Sequence, residues 1–444
     1  MSLGLIIFNV KTTTQNLLSR LEVAAWFNNM PVKVHAKLCV QCKGVRRLCG
    51  KPLCPILLRF RASVRAISKV RISGDNIIFG STPPTLIVGE GGYPEVNIYT
   101  GIVSDKDPKL YDNPEAWWGR LSLEKIIELR SSLILPRRRC RVSIAKLSST
   151  GNFYEVQLAS ASRKPVDTEA KLLKKPYPIL RFDGLIAPLG PTAPLERIRV
   201  IDNPSLDRVV EKVINDYDLK AKEGVRILYS KGVSIYDIIR VFSAGLLGKI
   251  RKRKLVPTRW AITAVDSMLC DMLVKKVRNF PSINSFLVYN VTYLGNHFEI
   301  LLIPGVYSFE LLEIWLPRTV WTGSILKPIV IENYELWDGK IRRDTDGGYY
   351  ALKLGVLENL YSLRRQALVI AIREIGTEYY APVGNWHIRE SARKMFNKKP
   401  EKFSSLKEAL AAIGKRLSVG LEIVIENSVL LRNVLRQEKI IKYM

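Results

Sequence analysis

The sequence is poor in histidine and in acidic residues, and it lacks the short motifs of several large enzyme classes. Its 444 residues include 3 His, and 41 Asp plus Glu stand against 69 Lys plus Arg. We find no H-E-x-x-H, no Walker A loop, no G-x-S-x-G elbow and no Asp-rich two-metal pattern. The sequence motifs therefore give little indication that the protein is a hydrolase.

Long apolar runs are also missing. No stretch reaches the roughly 18 consecutive apolar residues of a membrane span. The apolar stretch 3–10 has no basic region before it and no small-residue cleavage site, so it is a poor signal peptide. We therefore expect a cytoplasmic protein without a membrane partner. Residues 1–30 form a leader, and translation starting at Met30 is a hypothesis that native protein beginning before residue 30 would refute.

The excess of basic residues is the most unusual property of the composition. Hydrophobic residues make up 47% and charged residues 25%, which are ordinary values for a folded chain, yet the net charge is +28. Such an excess attracts polyanions, and nucleic acid is the commonest of them. An anionic membrane surface and a basic surface without a partner are the alternatives.

Hydrophobic periodicity predicts an α+β fold with a mixed or antiparallel sheet, preceded by a small four-cysteine module at 31–60. We predict a first conserved region at 61–330, a second at 331–430 and a tail at 431–444. Alternation predicts strands near 64–72, 86–88, 96–98, 141–146, 155–159, 286–293 and 298–303. Helical spacing predicts helices near 121–132, 206–217, 235–247, 264–276 and 347–380, and a last one from about residue 405. Residues 160–195 are rich in Pro and Lys and are expected to be irregular.

Four of the six cysteines lie within 16 residues. Cys39, Cys42, Cys49 and Cys54 have the spacing C-x2-C-x6-C-x4-C. Four thiolates complete a tetrahedral shell around zinc, so we predict a structural Zn²⁺ site here. The spacing does not exclude an iron–sulfur cluster.

Two short runs are strongly basic and are candidate contacts to phosphate. Arginine forks fit phosphate oxygens well. A solvated face without a partner is the alternative for either run. The residues are Arg137, Arg138, Arg139 and Arg141 in the first run, and Lys249, Arg251, Lys252, Arg253 and Lys254 in the second.

Several polar residues occur close together in the sequence, and two interpretations of them are possible. Arg beside Glu in a core is most often a buried structural pair. The alternative is a pocket for a nucleotide or a flipped base, bordered by the loop 89–94, with one Glu as the polar catalyst. The residues are Thr258, Arg259, Trp260, Thr263, Asp266, Asn296, His297, Glu299, Glu310, Glu313, Arg365, Gln366, Glu374, Trp386, Arg389 and Glu390.

The last eight residues have the pattern of a peptide that binds a sliding clamp. One helical turn would place Ile440, Tyr443 and Met444 on one face as a hydrophobic plug, with Gln437 as a polar anchor. Met444 stands where a second aromatic residue is usual. A frayed end of a terminal helix is the alternative.

The longer motifs resemble the archaeal Nre family of DNA repair proteins over about residues 37–444. They are KLCVQCKG at 37–44, LCG at 48–50, CP at 54–55, SRKPVD at 162–167, LVPTRW and TAVD within 255–266, RQA at 365–367 and GNWHIRE at 384–390. The resemblance implies a role in DNA damage repair and binding to the replication clamp, PCNA, through the C-terminal peptide. Gln437, Ile440, Tyr443 and Met444 match that motif.

The sequence thus leads to a DNA repair factor that is stabilised by zinc, binds DNA at the nucleoid and is recruited to the sliding clamp. The second interpretation is an enzyme that modifies nucleic acid, for example by ADP-ribosyl transfer at an Arg and Glu pocket. The third is a scaffold with little DNA contact. A shallow dependence of DNA binding on salt concentration would favour this interpretation.

Overall fold

The structure is a computed structural model that describes residues 39–46, 48, 53–146, 152–180, 187–323, 325–342, 345 and 347–441. The leader predicted at 1–30 lies outside the described residues. In the described part of the chain, no helix is long and apolar enough to cross a membrane.

A six-stranded sheet organises the first half of the chain. Its order is β1-β5-β6-β4-β3-β2, and all neighbours are antiparallel except β4 and β6. The strands are β1 (Ile77–Thr82), β2 (Leu86–Val88), β3 (Glu95–Thr100), β4 (Leu135–Arg141), β5 (Val166–Leu172) and β6 (Thr192–Val200). Buried and less buried residues alternate along β5, so one face of this sheet packs on the main core.

A seven-stranded sheet organises the second half. Its order is β11-β10-β9-β12-β8-β7-β13, with β9 and β12 parallel and the other neighbours antiparallel. The strands are β7 (Phe286–Tyr293), β8 (Asn296–Ile303), β9 (Ser308–Trp315), β10 (Ile329–Glu335), β11 (Ile341–Arg342), β12 (Leu368–Ile375) and β13 (Glu401–Phe403). The predicted boundary between the two regions, at residue 330, therefore falls inside strand β10 of this sheet. Two mixed sheets with helices confirm the α+β class.

Helices cover both sheets. The first group is α1 (Pro55–Lys69), α2 (Pro114–Trp117), α3 (Leu123–Ser131), α4 (Asn152–Ala161), α5 (Arg208–Asn215), α6 (Ala221–Ser230), α7 (Ile235–Ser243) and α8 (Thr258–Val277). The second group is α9 (Gly347–Leu363), α10 (Trp386–Phe396), α11 (Leu406–Gly414), α12 (Leu421–Asn427) and α13 (Val429–Ile441). The main core includes residues of both sheets and of α8, α9 and α10, and a second core lies between the second sheet and α11–α13.

Local signals predicted several elements correctly. Ser122 caps α3 by accepting a hydrogen bond from the backbone N–H of Lys125, and Ser405 caps α11 in the same way. The strands at 86–88, 96–98, 286–293 and 298–303 are β2, β3, β7 and β8.

Five of the predicted elements are wrong. The predicted strand at 64–72 lies mostly in α1, which starts at Pro55 and buries Ile56, Ala62 and Ala66 at helical spacing. The segment 155–159 is part of helix α4, and 142–146 is a 3₁₀ helix. The region 160–195, expected to be irregular, contains β5 and the start of β6. The helix predicted over 347–380 ends at Leu363, since Arg364 has a φ of 52°, and β12 follows.

Candidate nucleic-acid interface

The first basic run is strand β4, and the alternation of the strand divides its arginines between two faces. Arg139 and Arg141 pair in register with Asn97 and Glu95 of β3. Arg138 points to the other face, where it lines a small pocket with Phe153. Glu95 lies 3.5 Å from Arg139 and 3.6 Å from Arg141 in exposed ion pairs. All four arginines of the run are exposed.

The second basic run follows α7 and contains one residue that cannot serve as a phosphate contact. Arg253 is only 3% exposed, and it donates to the carbonyl oxygens of Gly248 at 2.9 Å and Ile214 at 2.6 Å. Its guanidinium also lies over the ring of Tyr217. The prediction that Arg253 binds nucleic acid is therefore corrected, because its side chain is used to hold the loop. Lys249, Arg251, Lys252 and Lys254 are exposed.

Val142 brings the two basic runs together although they are about a hundred residues apart in sequence. Its N–H donates to the carbonyl of Pro94 at 2.9 Å, and its carbonyl accepts from the N–H of Leu255 at 2.9 Å. Arg141 precedes Val142 and Lys254 precedes Leu255, so the runs meet at this point. We call the exposed residues around it the composite basic surface, which consists of Arg137, Arg139, Arg141, Lys249, Arg251, Lys252, Lys254 and Arg259.

The loop 89–94 joins this surface to the start of α8. The backbone N–H of Val88 donates to Thr258 Oγ1 at 2.8 Å, and Arg259 Nη1 lies 2.8 Å from Glu90 Oε1. The rings of Tyr93 and Trp260 are in contact, with centroids 5.2 Å apart. The sequence analysis placed this loop at the border of a pocket that includes Thr258, Arg259 and Trp260, and the loop does contact these residues.

Three of the polar residues considered for a catalytic pocket, Asp266, Arg389 and Glu390, belong to a buried network between α8 and α10. Arg389 Nη2 lies 2.5 Å from Asp266 Oδ2, and both side chains are at most 1% exposed. Burial raises the pKa of Asp266, and Arg389 limits that rise. Glu390 accepts from Tyr236 at 2.8 Å and from Arg393 at 3.2 Å. Thr263 Oγ1 lies 3.0 Å from the position of a Cβ on Gly347, at the start of α9.

The carboxylates of the second sheet likewise have structural partners. Glu313 pairs with Arg373, Glu299 pairs with Arg416, and Glu374 accepts from the backbone N–H groups of Ser418 and Val419. Glu310 accepts from Ser428 and from the backbone N–H of Val429 at 2.7 Å, at the start of α13. This is the geometry of buried structural pairs and helix caps, one of the two interpretations that the sequence left open.

The remaining polar candidates are also tied to the fold or face solvent. His387 is buried, and burial together with Arg373 lowers its pKa to about 3, so it is neutral at physiological pH. His297 contacts Glu299 at 3.0 Å. The side chain of Gln366 accepts from the backbone N–H of Tyr307 and donates to the carbonyls of Arg278 and Phe280. Arg365 is exposed.

Three of the four cysteines of the predicted zinc site are described, and Cys49 lies outside the described residues. Cys39 and Cys42 occupy one helical turn, and the N–H of Leu48 points at Cys42 Sγ at 3.4 Å. Cys54 Sγ lies 3.1 Å from the position of a Cβ on Gly44, whose φ is 75°, so a side chain there would crowd the sulfur. The described residues alone contain no group of three or more side chains placed to hold a metal ion. A soft thiolate set with N–H donors toward sulfur suits zinc chemically.

The C-terminal peptide continues a helix that is anchored in the second core. Leu430 and Leu431 of α13 are buried there, and Val434 and Leu435 pack against it. The helix runs to Ile441, so the backbone of Gln437 and Ile440 is helical. Tyr443 and Met444 lie outside the described residues.

Comparisons with known proteins point to one protein family along nearly the whole chain. The family model described as "Archaeal Nre, N-terminal" matches residues 48–322, and "Archaeal Nre, C-terminal" matches residues 335–443. The protein called DNA repair protein NreA in Archaeoglobus fulgidus is 38% identical, over 85% of this chain and 93% of its own length. DNA repair protein NreB of the same organism is 35% identical, over 89% and 97%.

A relative from a second organism shows the same extent of similarity. DNA repair protein NreA of Haloferax volcanii is 33% identical, over 79% of this chain and 85% of its own length. No solved structure matches the chain. The matches of both family models, together with identities of 33–38% over most of each relative, show that this chain belongs to the archaeal Nre family.

Proposed function

We propose that this protein acts in DNA repair and binds DNA. The observation that carries the proposal is the similarity of the chain to three DNA repair proteins over 79–89% of its length. The net charge of +28 and the composite basic surface support contact with the DNA backbone. The experiment that tests the repair role is the survival, after DNA damage, of cells that lack the gene.

Recruitment to the replication clamp is part of the proposal. Helix α13 is fixed to the body through Leu430 and Leu431, and its last turns include Gln437 and Ile440. A peptide of this pattern would present Ile440, Tyr443 and Met444 to a hydrophobic groove as one helical turn, with Gln437 in a polar pocket. The clamp would then be held close to the body of the protein.

Calorimetric titration with the clamp of the source organism tests this part. The full chain and a version that ends at Arg436 are compared, together with a full chain carrying Glu438→Gln as a control outside the motif. Binding by the full chain and the control, and loss of binding by the shorter chain, support recruitment through the tail. Equal binding by all three would move the contact to the body, and absence of binding would remove the clamp from the proposal.

A structural zinc ion held by Cys39, Cys42, Cys49 and Cys54 completes the proposal. Zinc would cross-link a short segment that precedes α1 and in which Cys42 is the one buried residue among those described. The helical turn at Cys39 and Cys42, and the close approach of Cys54 to Gly44, support this ligand set. An iron–sulfur cluster is the alternative, and its visible absorption would separate it from zinc.

A further inference from the structure

We propose that the composite basic surface, with the ring pair Tyr93 and Trp260, binds single-stranded DNA in preference to duplex DNA. The inference rests on the DNA binding proposed above and adds the form of DNA that is bound. It follows from the charge of the surface, from the position of the two rings and from the way the loop 89–94 is held.

The composite basic surface keeps most of its positive charge unpaired. Its ion pairs are Arg139 and Arg141 with Glu95, and Arg259 with Glu90. Within the described residues, the exposed bases of the run 249–254 form no salt bridge to a carboxylate. Exposed ion pairs contribute at most about 1 kcal/mol, so phosphate groups can compete with Glu90 and Glu95 for these arginines.

The two rings lie next to the junction of the basic runs and to Arg259. Tyr93 precedes Pro94, whose carbonyl accepts from Val142 at the junction of the two basic runs, and Trp260 follows Arg259. The ring planes are inclined at 44°, and both side chains are partly exposed. A duplex hides the faces of its bases in the stack, whereas a single strand offers them to aromatic side chains. Rings set among basic residues are therefore the arrangement of a single-strand site.

The loop that carries Tyr93 is fixed before any DNA arrives. The N–H of Gly89 donates to the backbone carbonyl of Asn97 at 2.8 Å, and the N–H of Glu95 donates to the carbonyl of Gly92 at 2.9 Å. The bond from Val88 to Thr258 ties the start of the loop to α8. Because the loop is held on both sides, binding does not have to order it, which favours affinity.

The test is fluorescence anisotropy of the full chain with a labelled single-stranded oligonucleotide and with the matching duplex, over a series of salt concentrations. Three variants are compared with the wild type: Arg139→Ala with Arg141→Ala, Trp260→Ala, and Trp260→Phe. Lys399→Ala with Lys407→Ala removes two exposed lysines beside the second sheet as a matched control. Thermal unfolding of each variant checks that it is folded, and Trp260→Phe keeps an aromatic ring if Trp260→Ala proves unstable.

We expect the wild type to bind the single strand more tightly than the duplex. The arginine variant should bind about tenfold more weakly, and the slope of log K against log salt should become shallower by about 1.4 for two lost phosphate contacts. Trp260→Ala should lose about tenfold in affinity for the single strand alone, while Trp260→Phe and the lysine control stay near the wild type.

The contrary outcomes separate this inference from the proposed function. If the wild type binds DNA and the arginine variant binds equally well, the surface is wrong and DNA binding stands. If duplex is preferred, or if Trp260→Ala weakens both forms alike, the single-strand preference is wrong. If the wild type binds neither form, the DNA-binding part of the proposed function fails as well.

Discussion

Asp266 and Arg389 form a two-point salt bridge inside the core of the protein. Arg389 Nε lies 3.2 Å from Asp266 Oδ1, and Nη2 lies 2.5 Å from Oδ2. Asp266 belongs to the region matched by the N-terminal family model and Arg389 to the region matched by the C-terminal one. The guanidinium also lies over the ring of Tyr236. The pair therefore couples α8 to α10 where solvent cannot replace either partner.

Removal of one partner should destabilise the whole fold. Arg389→Ala leaves the carboxylate of Asp266 buried without a cation, and we expect the free energy of unfolding to fall by about 3–5 kcal/mol. Replacing both residues by apolar side chains, Asp266→Leu with Arg389→Met, should restore much of that loss. Urea unfolding of both proteins measures the difference. A single variant within about 1 kcal/mol of the wild type would show that the pair contributes little.

Glu310 should make the stability of the C-terminal helix depend on pH. Burial is the largest influence on this carboxyl and raises its pKa to about 7, although its bonds to Ser428 and to the start of α13 act in the opposite direction. Between its ordinary pKa of 4.5 and about 7, the folded protein keeps a proton that the unfolded chain has lost. The resulting stabilisation is full below about pH 4.5 and is lost as the pH rises through about 7, a change of about 3 kcal/mol.

A comparison with Glu310→Gln isolates this group. His387 opposes it, because its lowered pKa makes the folded protein more stable as the pH rises from about 3 to 6.5. The difference in unfolding free energy between wild type and Glu310→Gln cancels the contribution of His387. We expect the wild type to lose stability relative to the variant between pH 5 and 8. A difference that is constant over this range would contradict the raised pKa.

Arg253 and Lys252 are neighbours with opposite expected effects. Arg253→Ala leaves the carbonyls of Gly248 and Ile214 without their buried donor, so it should lower the unfolding free energy by about 2–3 kcal/mol. Lys252→Ala removes an exposed cation, so it should leave the melting temperature unchanged and weaken DNA binding. Thermal unfolding and anisotropy of both variants measure this. A stable Arg253→Ala protein with reduced DNA affinity would reverse the assignment.

The cysteine site should hold one zinc ion per chain. Mass spectrometry of the purified protein for metals should find zinc near one equivalent, and Cys42→Ser should lose it. Cys140→Ser is the matched control, since Cys140 lies on β4 outside the cluster and should not affect the metal. Iron with acid-labile sulfide, or zinc retained by Cys42→Ser, would refute the predicted site.

The sequence predicted the elements whose signals are local. Ser122 and Ser405 mark helix starts by a side chain that bonds three residues ahead, and β7 and β8 lie on either side of a tight turn at Gly295. The segment 64–72 was predicted wrongly, because its alternation of apolar and basic residues is also compatible with one buried stripe on α1. Here packing between α1 and α3 decided the structure.

The candidate site depended on contacts that no local pattern contains. Two basic runs were evident in the sequence, yet the Val142 bonds to Pro94 and Leu255 that unite them connect distant segments. Arg253 has the same character in sequence as Lys252, yet it is 3% exposed and donates to the carbonyls of Gly248 and Ile214. The net positive charge predicts that a chain binds polyanions. The tertiary structure determines which basic side chains are exposed for that binding.

The most direct test of the central claim is the survival of cells of the source organism after ultraviolet or alkylating damage. A strain without the gene is complemented with the wild type, with Arg139→Ala and Arg141→Ala, and with the lysine control Lys399→Ala and Lys407→Ala, at matched protein levels. A DNA repair factor that acts through the composite basic surface predicts a sensitive deletion strain that the wild type and the lysine control rescue and the arginine variant does not. A deletion strain as resistant as its parent would contradict a role in repair.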